Sequence, residues 1–145
     1  MALGAKMELP RSGAWEQKGN LIQPVVLTSV REGMRLVHEE QFGPVLPIVS
    51  VKSVDEAVAL ANASPYGLQA SVFTRDLDDA MRISDELQAG TVQINAAPAR
   101  GPDHFPFQGV KDSGIGSQGV RYSILAMSKI KSTVINLNKE SYTQG

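Results

Sequence analysis

The stretch LPIVSVKSVDEAVALANASPYGLQASVFTRDLDDAMRISDELQAGTVQIN, residues 46–95, decides the fold. Leu46–Val51 is short, rich in β-branched residues and bounded by turn formers, the pattern of a strand. Ser53 followed by Glu56 spells a capping box, and Val54, Ala57, Val58 and Ala61 then recur at helical spacing up to the breaker Ser64-Pro65-Tyr66-Gly67. Leu68–Thr74 is the next strand. Asp76 caps a second helix on which Leu77, Ala80, Ile83 and Leu87 share one face, Gly90 stops it, and Thr91–Asn95 closes the series as a strand. The order strand, helix, strand, helix, strand predicts an α/β fold with crossover connections and a mostly parallel sheet.

Outward from that unit the reading thins. Pro24–Thr28 is a further strand, and both it and Leu46–Val51 are expected to be buried. Residues 94–119 form a Pro- and Gly-punctuated loop with no regular period; a loop of such length in a compact chain is uncommon unless function holds it. It starts at the carboxyl end of a strand, where α/β proteins bind ligands. Val120–Lys129 is expected as a helix and Thr133–Leu137 as a terminal strand whose partner the sequence does not reveal, while Met1–Asn20 carries no predicted element. Met34, Met81 and Met127 are expected as core filler. Two clear helices for some five strands would leave one sheet face bare, which points to a chain that belongs to something larger or docks on a partner.

Composition narrows the chemistry. With 145 residues, 42% hydrophobic and 20% charged, the chain has the make-up of one globular domain. A net charge of −1 gives no field to gather nucleic acid or an anionic membrane, so neither is expected as a partner. No apolar run approaches the roughly 20 residues that span a bilayer, and the N-terminus lacks a signal-peptide pattern; the expectation is a cytoplasmic protein. Zero cysteines removes disulfides, thiolate metal sites and a cysteine nucleophile from these residues, and two histidines make a histidine metal cluster improbable.

Three positions carry candidate chemistry. Glu39 and Glu40 precede Gln41-Phe42-Gly43-Pro44. Adjacent carboxylates in a loop are more often simply solvated, but Glu40 could accept hydrogen bonds from ligand hydroxyls while Phe42 offers a flat surface to a ring, a pair that suits a ribose and a base. Arg100 stands among Pro98, Gly101 and Pro102, where a stiff backbone would aim its fork at a phosphate or carboxylate; pairing with Asp103 is the plainer alternative. His104 has no visible nucleophile to serve and reads as structural or solvated. Gly114-Ile115-Gly116-Ser117-Gln118-Gly119 matches G-x-G-x-x-G, yet it follows a loop rather than a strand, so its glycines read as turn and close-packing positions.

Together these residues resemble the aldehyde dehydrogenase superfamily. Glu-Glu-Gln-Phe-Gly-Pro-Val (39–45) is similar to its E-E-x-F-G-P-V motif, Asn62–Asp76 to its N-x-x-x-Y-G-L-x-A-x-V-F-T-x-D block, and Ala89–Asn95 to its A-G-x-V-x-I-N. Within the superfamily, residues 97–109, Lys111–Gly119 and Thr133–Leu137 resemble the non-phosphorylating, NADP-dependent glyceraldehyde-3-phosphate dehydrogenases. Most aldehyde dehydrogenases carry P-F-G-G-x-K-x-S-G-x-G-R-E-x-G, whereas here Gln108 replaces the first paired glycine and Ser117-Gln118 stand for Arg-Glu.

The resemblance implies a partial catalytic domain over residues 1–111, with a connecting helix and oligomerisation strand over 112–145. It implies that Glu40 binds the nicotinamide ribose hydroxyls, that Phe42 packs beside the nicotinamide, and that Arg100 holds the substrate phosphate. NADP, or NAD, would be the cofactor, a phosphorylated aldehyde the small-molecule partner, and a homo-oligomer the full-length state. In such an enzyme a cysteine thiolate attacks the aldehyde, hydride passes to the cofactor, and water releases 3-phosphoglycerate. The family's nucleophile, general base, oxyanion-hole asparagine and dinucleotide-binding domain have no counterpart in this chain, which is therefore expected to be inactive alone and to contribute binding. Two alternatives accompany this reading: a non-catalytic paralogue that associates with a full-length enzyme, and part of a general aldehyde dehydrogenase.

Overall fold

Strand pairs and two capped helices set the architecture of this computed structural model, which describes residues 4–8, 17–135 and 137. In chain order the elements are β1 (Lys6–Glu8), β2 (Gln17–Lys18), β3 (Leu21–Ile22), β4 (Val25–Thr28), α1 (Arg35–His38), β5 (Val45–Pro47), α2 (Val54–Asn62) and β6 (Tyr66–Gly67). There follow β7 (Gln69–Val72), α3 (Leu77–Glu86), β8 (Thr91–Ile94), β9 (Phe107–Gln108), β10 (Val110–Lys111), β11 (Ser117–Gln118) and α4 (Val120–Ala126). The parallel pairs of this α/β fold are β4 with β5 and β7 with β8, in register Gln69↔Thr91 and Ser71↔Gln93. Antiparallel β1 extends the first pair, and β2–β3, β6–β10 and β9–β11 are two-residue ribbons.

The central unit forms for the reasons its residues suggest. Ser53 Oγ accepts the Glu56 amide at 3.2 Å, and the Glu56 carboxylate reaches back to the Lys52 amide at 2.7 Å, one residue ahead of the usual capping-box donor. Asp76 Oδ1 accepts the amides of Asp78 and Asp79 at 2.9 and 3.1 Å and so starts α3. Ala80 and Ile83 are buried on α3 and Val58 on α2. Leu77, at the first helical position, is 71% exposed instead of joining that face.

Two asparagines bracket the unit. Asn62, the last residue of α2, donates to the Glu86 carbonyl and accepts from the Gln88 amide, both at 2.8 Å, tying the ends of the two helices. Asn95 donates to the Thr74 carbonyl at 2.8 Å and accepts the Thr74 amide at 3.0 Å, which carries the β7–β8 pairing past the last ladder residue. Lys111 adds a third tie, its ammonium donating to the carbonyls of Asn62 and Ser64 at 2.7 and 3.0 Å, where the end of α2 favours a cation.

Several expectations are corrected. The 94–119 loop is not devoid of strands: β9, β10 and β11 lie within it, too short to show a period. An ideal Cβ on Gly90 would stand 1.8 Å from the Gln108 carbonyl oxygen, so glycine there is what lets β9 cross the start of β8. Lys6–Glu8 is a strand where none was expected, β5 ends at Pro47 rather than Val51, and Leu46 at 59% exposure shows that this strand is not buried. α4 ends at Ala126. Met34 is buried, but Met81 and Met127 are exposed. Residues 133–135 and 137 form no strand, since a strand needs a paired edge and none among the described residues meets them; Asn136 lies outside the described residues.

The core is small. Val25, Leu27, Val30 and Met34 form its buried centre, with Met7, Val45 and Val49 packed around it. A compact monomer of 15.6 kDa exposes roughly 7,200 Å², whereas this chain exposes 11828 Å². Large apolar side chains such as Ile115, Ile130 and Leu137 are among those in contact with solvent.

Candidate functional site

Glu39 and Glu40, equivalent in the sequence, are separated by the structure. α1 is a single turn whose Arg35 makes a bidentate pair with Glu39, Nε to Oε1 at 2.7 Å and Nη2 to Oε2 at 2.6 Å. The guanidinium hydrogen bond holds the Glu39 carboxyl below its ordinary value and raises Arg35 in turn. The Glu39 amide also donates to the Arg35 carbonyl at 2.8 Å. On the other side, the Gln41 amide nitrogen donates to the Leu36 carbonyl at 2.8 Å and to the Glu39 carbonyl. Both neighbours of Glu40 are therefore pinned, while its own carboxylate has no partner among the described residues.

Glu40 lines a cleft of about 630 Å³. One wall is Leu36, Val37 and the 39–41 turn; the other is built by Ser64, Tyr66–Ala70, Leu87–Ala89 and Ser113, around the point where the Ser113 hydroxyl accepts the Gly67 amide at 2.9 Å. A fixed loop presenting one free carboxylate suits a pair of vicinal hydroxyls as donors. Phe42 is 94% exposed, a free aromatic face that lines none of the clefts described here.

Arg100 sits in a second, smaller cleft of about 240 Å³, lined by Gln69, Thr91 and Gln93 from one face of the β7–β8 pair and by Gly101 and Phe105–Phe107 from the loop. Its guanidinium lies 5.4 Å from the Phe107 ring centroid, within cation–π range. It also pairs with Asp103 at 3.3 Å, the plainer alternative that the sequence offered. Both side chains are substantially exposed, so this pair stabilises little. Gln69 Nε2 and Ser71 Oγ, on the polar face beneath, are buried without a partner among the described residues.

The three predicted residues are thus not gathered in one pocket: Glu40 and Arg100 line different clefts that share Gln69, and Phe42 stands apart. His104 packs edge-on against Phe105 at 4.6 Å, a structural contact. The glycines at 114, 116 and 119 all have positive φ, and a Cβ on Gly119 would stand 2.8 Å from the Phe105 carbonyl oxygen, so the G-x-G-x-x-G match is a turn and packing device. What the sequence did not point to is α1, which immobilises Glu39; the only signal was an Arg-to-Glu i,i+4 pair, the weaker orientation for a helix. Among the described residues there is no cluster suited to a metal and no helix long and apolar enough to cross a membrane.

Comparison with known proteins places this geometry. The profile of the aldehyde dehydrogenase family matches residues 2–133. An NADP-dependent glyceraldehyde-3-phosphate dehydrogenase of Triticum aestivum is 56% identical over 98% of this chain, and that of Pisum sativum is 59% identical over 90%. The chain spans only 30% and 26% of those two relatives. A crystal structure of the NADP-dependent glyceraldehyde-3-phosphate dehydrogenase of Bacillus halodurans, complexed with NADP, superposes with a TM-score of 0.86 at 50% identity, covering 93% of this chain and 28% of that one.

Proposed function

The chain belongs to the aldehyde dehydrogenase family, and on that premise we propose that it serves the NADP-dependent, non-phosphorylating oxidation of glyceraldehyde 3-phosphate to 3-phosphoglycerate by supplying contacts to cofactor and substrate. NADP, when bound, accepts the hydride. Glu40 would hold the nicotinamide ribose through its hydroxyls, Phe42 would cover the ring, and Arg100 would take the substrate phosphate. The 145 residues contain no cysteine, so the thiolate of the reaction has to come from other residues. Residues 1–111 then belong to the catalytic domain, and 112–145 face the oligomer.

The observation that carries this reading is the free carboxylate of Glu40 in its cleft beside a Glu39 fully engaged by Arg35. The test exchanges this chain for the aligned segment of the wheat relative and assays the chimera. An active chimera is expected, in which Glu40→Gln raises KM for NADP roughly tenfold, the size of a lost charged hydrogen-bond acceptor. An unchanged KM for NADP would remove Glu40 from the cofactor site.

The exposed apolar surface from α4 onward favours a second reading, in which the chain is a non-catalytic companion of a longer aldehyde dehydrogenase. Co-purification with such an enzyme at a fixed stoichiometry would select it.

A further inference from the structure

Two contacts of Arg100 and one of the peptide unit before it, differing in kind, hold this part of the loop. From above, Asp103 pairs with it at 3.3 Å, but the Asp103 side chain is 82% exposed and such a pair is easily given up to a better anion. From the side, the Phe107 ring lies 5.4 Å from the guanidinium carbon, and Phe107 is itself fixed by the β9–β11 pairing, opposite Gln118. From below, Gln93 on β8 donates its amide to the Ala99 carbonyl at 3.2 Å, the peptide unit that leads directly into Arg100. Of the residues on the polar face of β7–β8, Gln93 is the one that reaches the arginine loop with a hydrogen bond, and it does so from a strand in parallel register with β7.

Resting on the reading of Arg100 as the phosphate ligand, we infer that Gln93 is a positioning residue: its hydrogen bond to Ala99 sets the height of the Arg100 backbone above the sheet, so that the guanidinium meets an anion in the cleft between Gln69, Thr91 and Phe107. Pro98 and Pro102 on either side restrict the loop without fixing it to the sheet; the Gln93 bond supplies that fixed point. A side chain of similar length that cannot donate, Met, or a shorter apolar one, Leu, leaves the loop and its arginine in place covalently but releases the tie.

The test titrates the 145-residue chain with glyceraldehyde 3-phosphate and, as control, unphosphorylated glyceraldehyde, following the Arg100 Nε–Hε resonance by nitrogen-edited NMR. Wild type is expected to show a saturable shift with the phosphorylated compound alone, and Arg100→Ala to abolish binding. Gln93→Leu and Gln93→Met should each weaken binding roughly three- to tenfold, the value of one modest hydrogen bond, with the backbone spectrum of β7 and β8 unchanged. In the Arg100→Ala background Gln93→Leu should have no further effect, the mark of a residue that acts through another. No saturable binding by wild type overturns the assignment of Arg100 and this inference with it. Binding by wild type that both Gln93 variants leave unchanged overturns the inference alone. Should Gln93→Leu perturb the fold, Gln93→Met decides.

Discussion

The β7–α3–β8 unit and the segment from α4 onward are built on opposite principles. In the first and the residues that flank it, four polar residues of the sequence blocks have internal partners: Asn62 joins two helix ends, Asn95 prolongs a ladder, Lys111 caps α2, Asp76 caps α3. In the second, α4 begins at Gly119 without a side-chain cap, buries no residue, and leads to Met127, Ile130 and Val134, all at least 80% exposed. A motif residue that is satisfied within the chain is explained by the fold. One that is not is left for water, a ligand or a partner. Applied to neighbouring carboxylates, the same criterion finds Glu39 engaged by Arg35 and leaves the Glu40 carboxylate available, as the proposed role requires.

The comparison is most sharply broken at Gly90. With a Cβ only 1.8 Å from the Gln108 oxygen, Gly90→Ala must push β9 away from the sheet. A loss of about 3 kcal/mol or more in urea unfolding is expected, the range of overpacked or strained sites. Ile130→Ser, at a fully exposed position in the other region, should change stability by no more than about 0.5 kcal/mol, and a large loss there would mean that the segment packs on something within the chain.

Asn62→Ala comes next. It leaves the Gln88 amide and the Glu86 carbonyl without their partner, which should cost about 1–3 kcal/mol, read as a lower urea midpoint with an unchanged slope. If the loss is negligible, the bracket between α2 and α3 is not what holds the unit, and the Arg82 network with Asp55 and Glu86 would be the stronger tie.

How much of this was legible follows the same division. α2, α3, β7 and β8 could be read because each has a cap, a breaker or a period long enough to register: Ser53 and Asp76 are local signals that the structure uses as such, whereas α3 ends at Glu86, before the Gly90 expected to stop it, and Gly90 serves the close approach of Gln108 instead. α1, β1 and the ribbons β9 to β11 could not, because two to four residues carry no period and their existence depends on partners distant in sequence, as Lys111 opposite Tyr66 does. The β2–β3 hairpin had a readable signal in Gly19-Asn20, with Gly19 at φ 61°. The candidate site was legible as residue types but not as geometry. Nothing in Glu39-Glu40 tells which carboxylate Arg35 will take, and nothing in residues 97–103 shows that Gln93 reaches up to Ala99.

The smallest effect tests the carboxylate comparison itself. Arg35 holds Glu39 below its ordinary value, chiefly by hydrogen bonding, so this pair stabilises the folded chain above the unfolded carboxylate pKa and loses that contribution as pH falls through the lowered folded value. Arg35→Ala should bring the Glu39 titration, followed by carboxyl carbon NMR, back up to the usual carboxylate range and free it to compete with Glu40 for the same hydroxyl donors. Because both side chains are exposed, little change in overall stability is expected; the informative readout is the titration. If Glu39 titrates at its lowered value without Arg35, the two carboxylates are not distinguished by that ion pair, and because both line the same cleft nothing would favour Glu40 over Glu39.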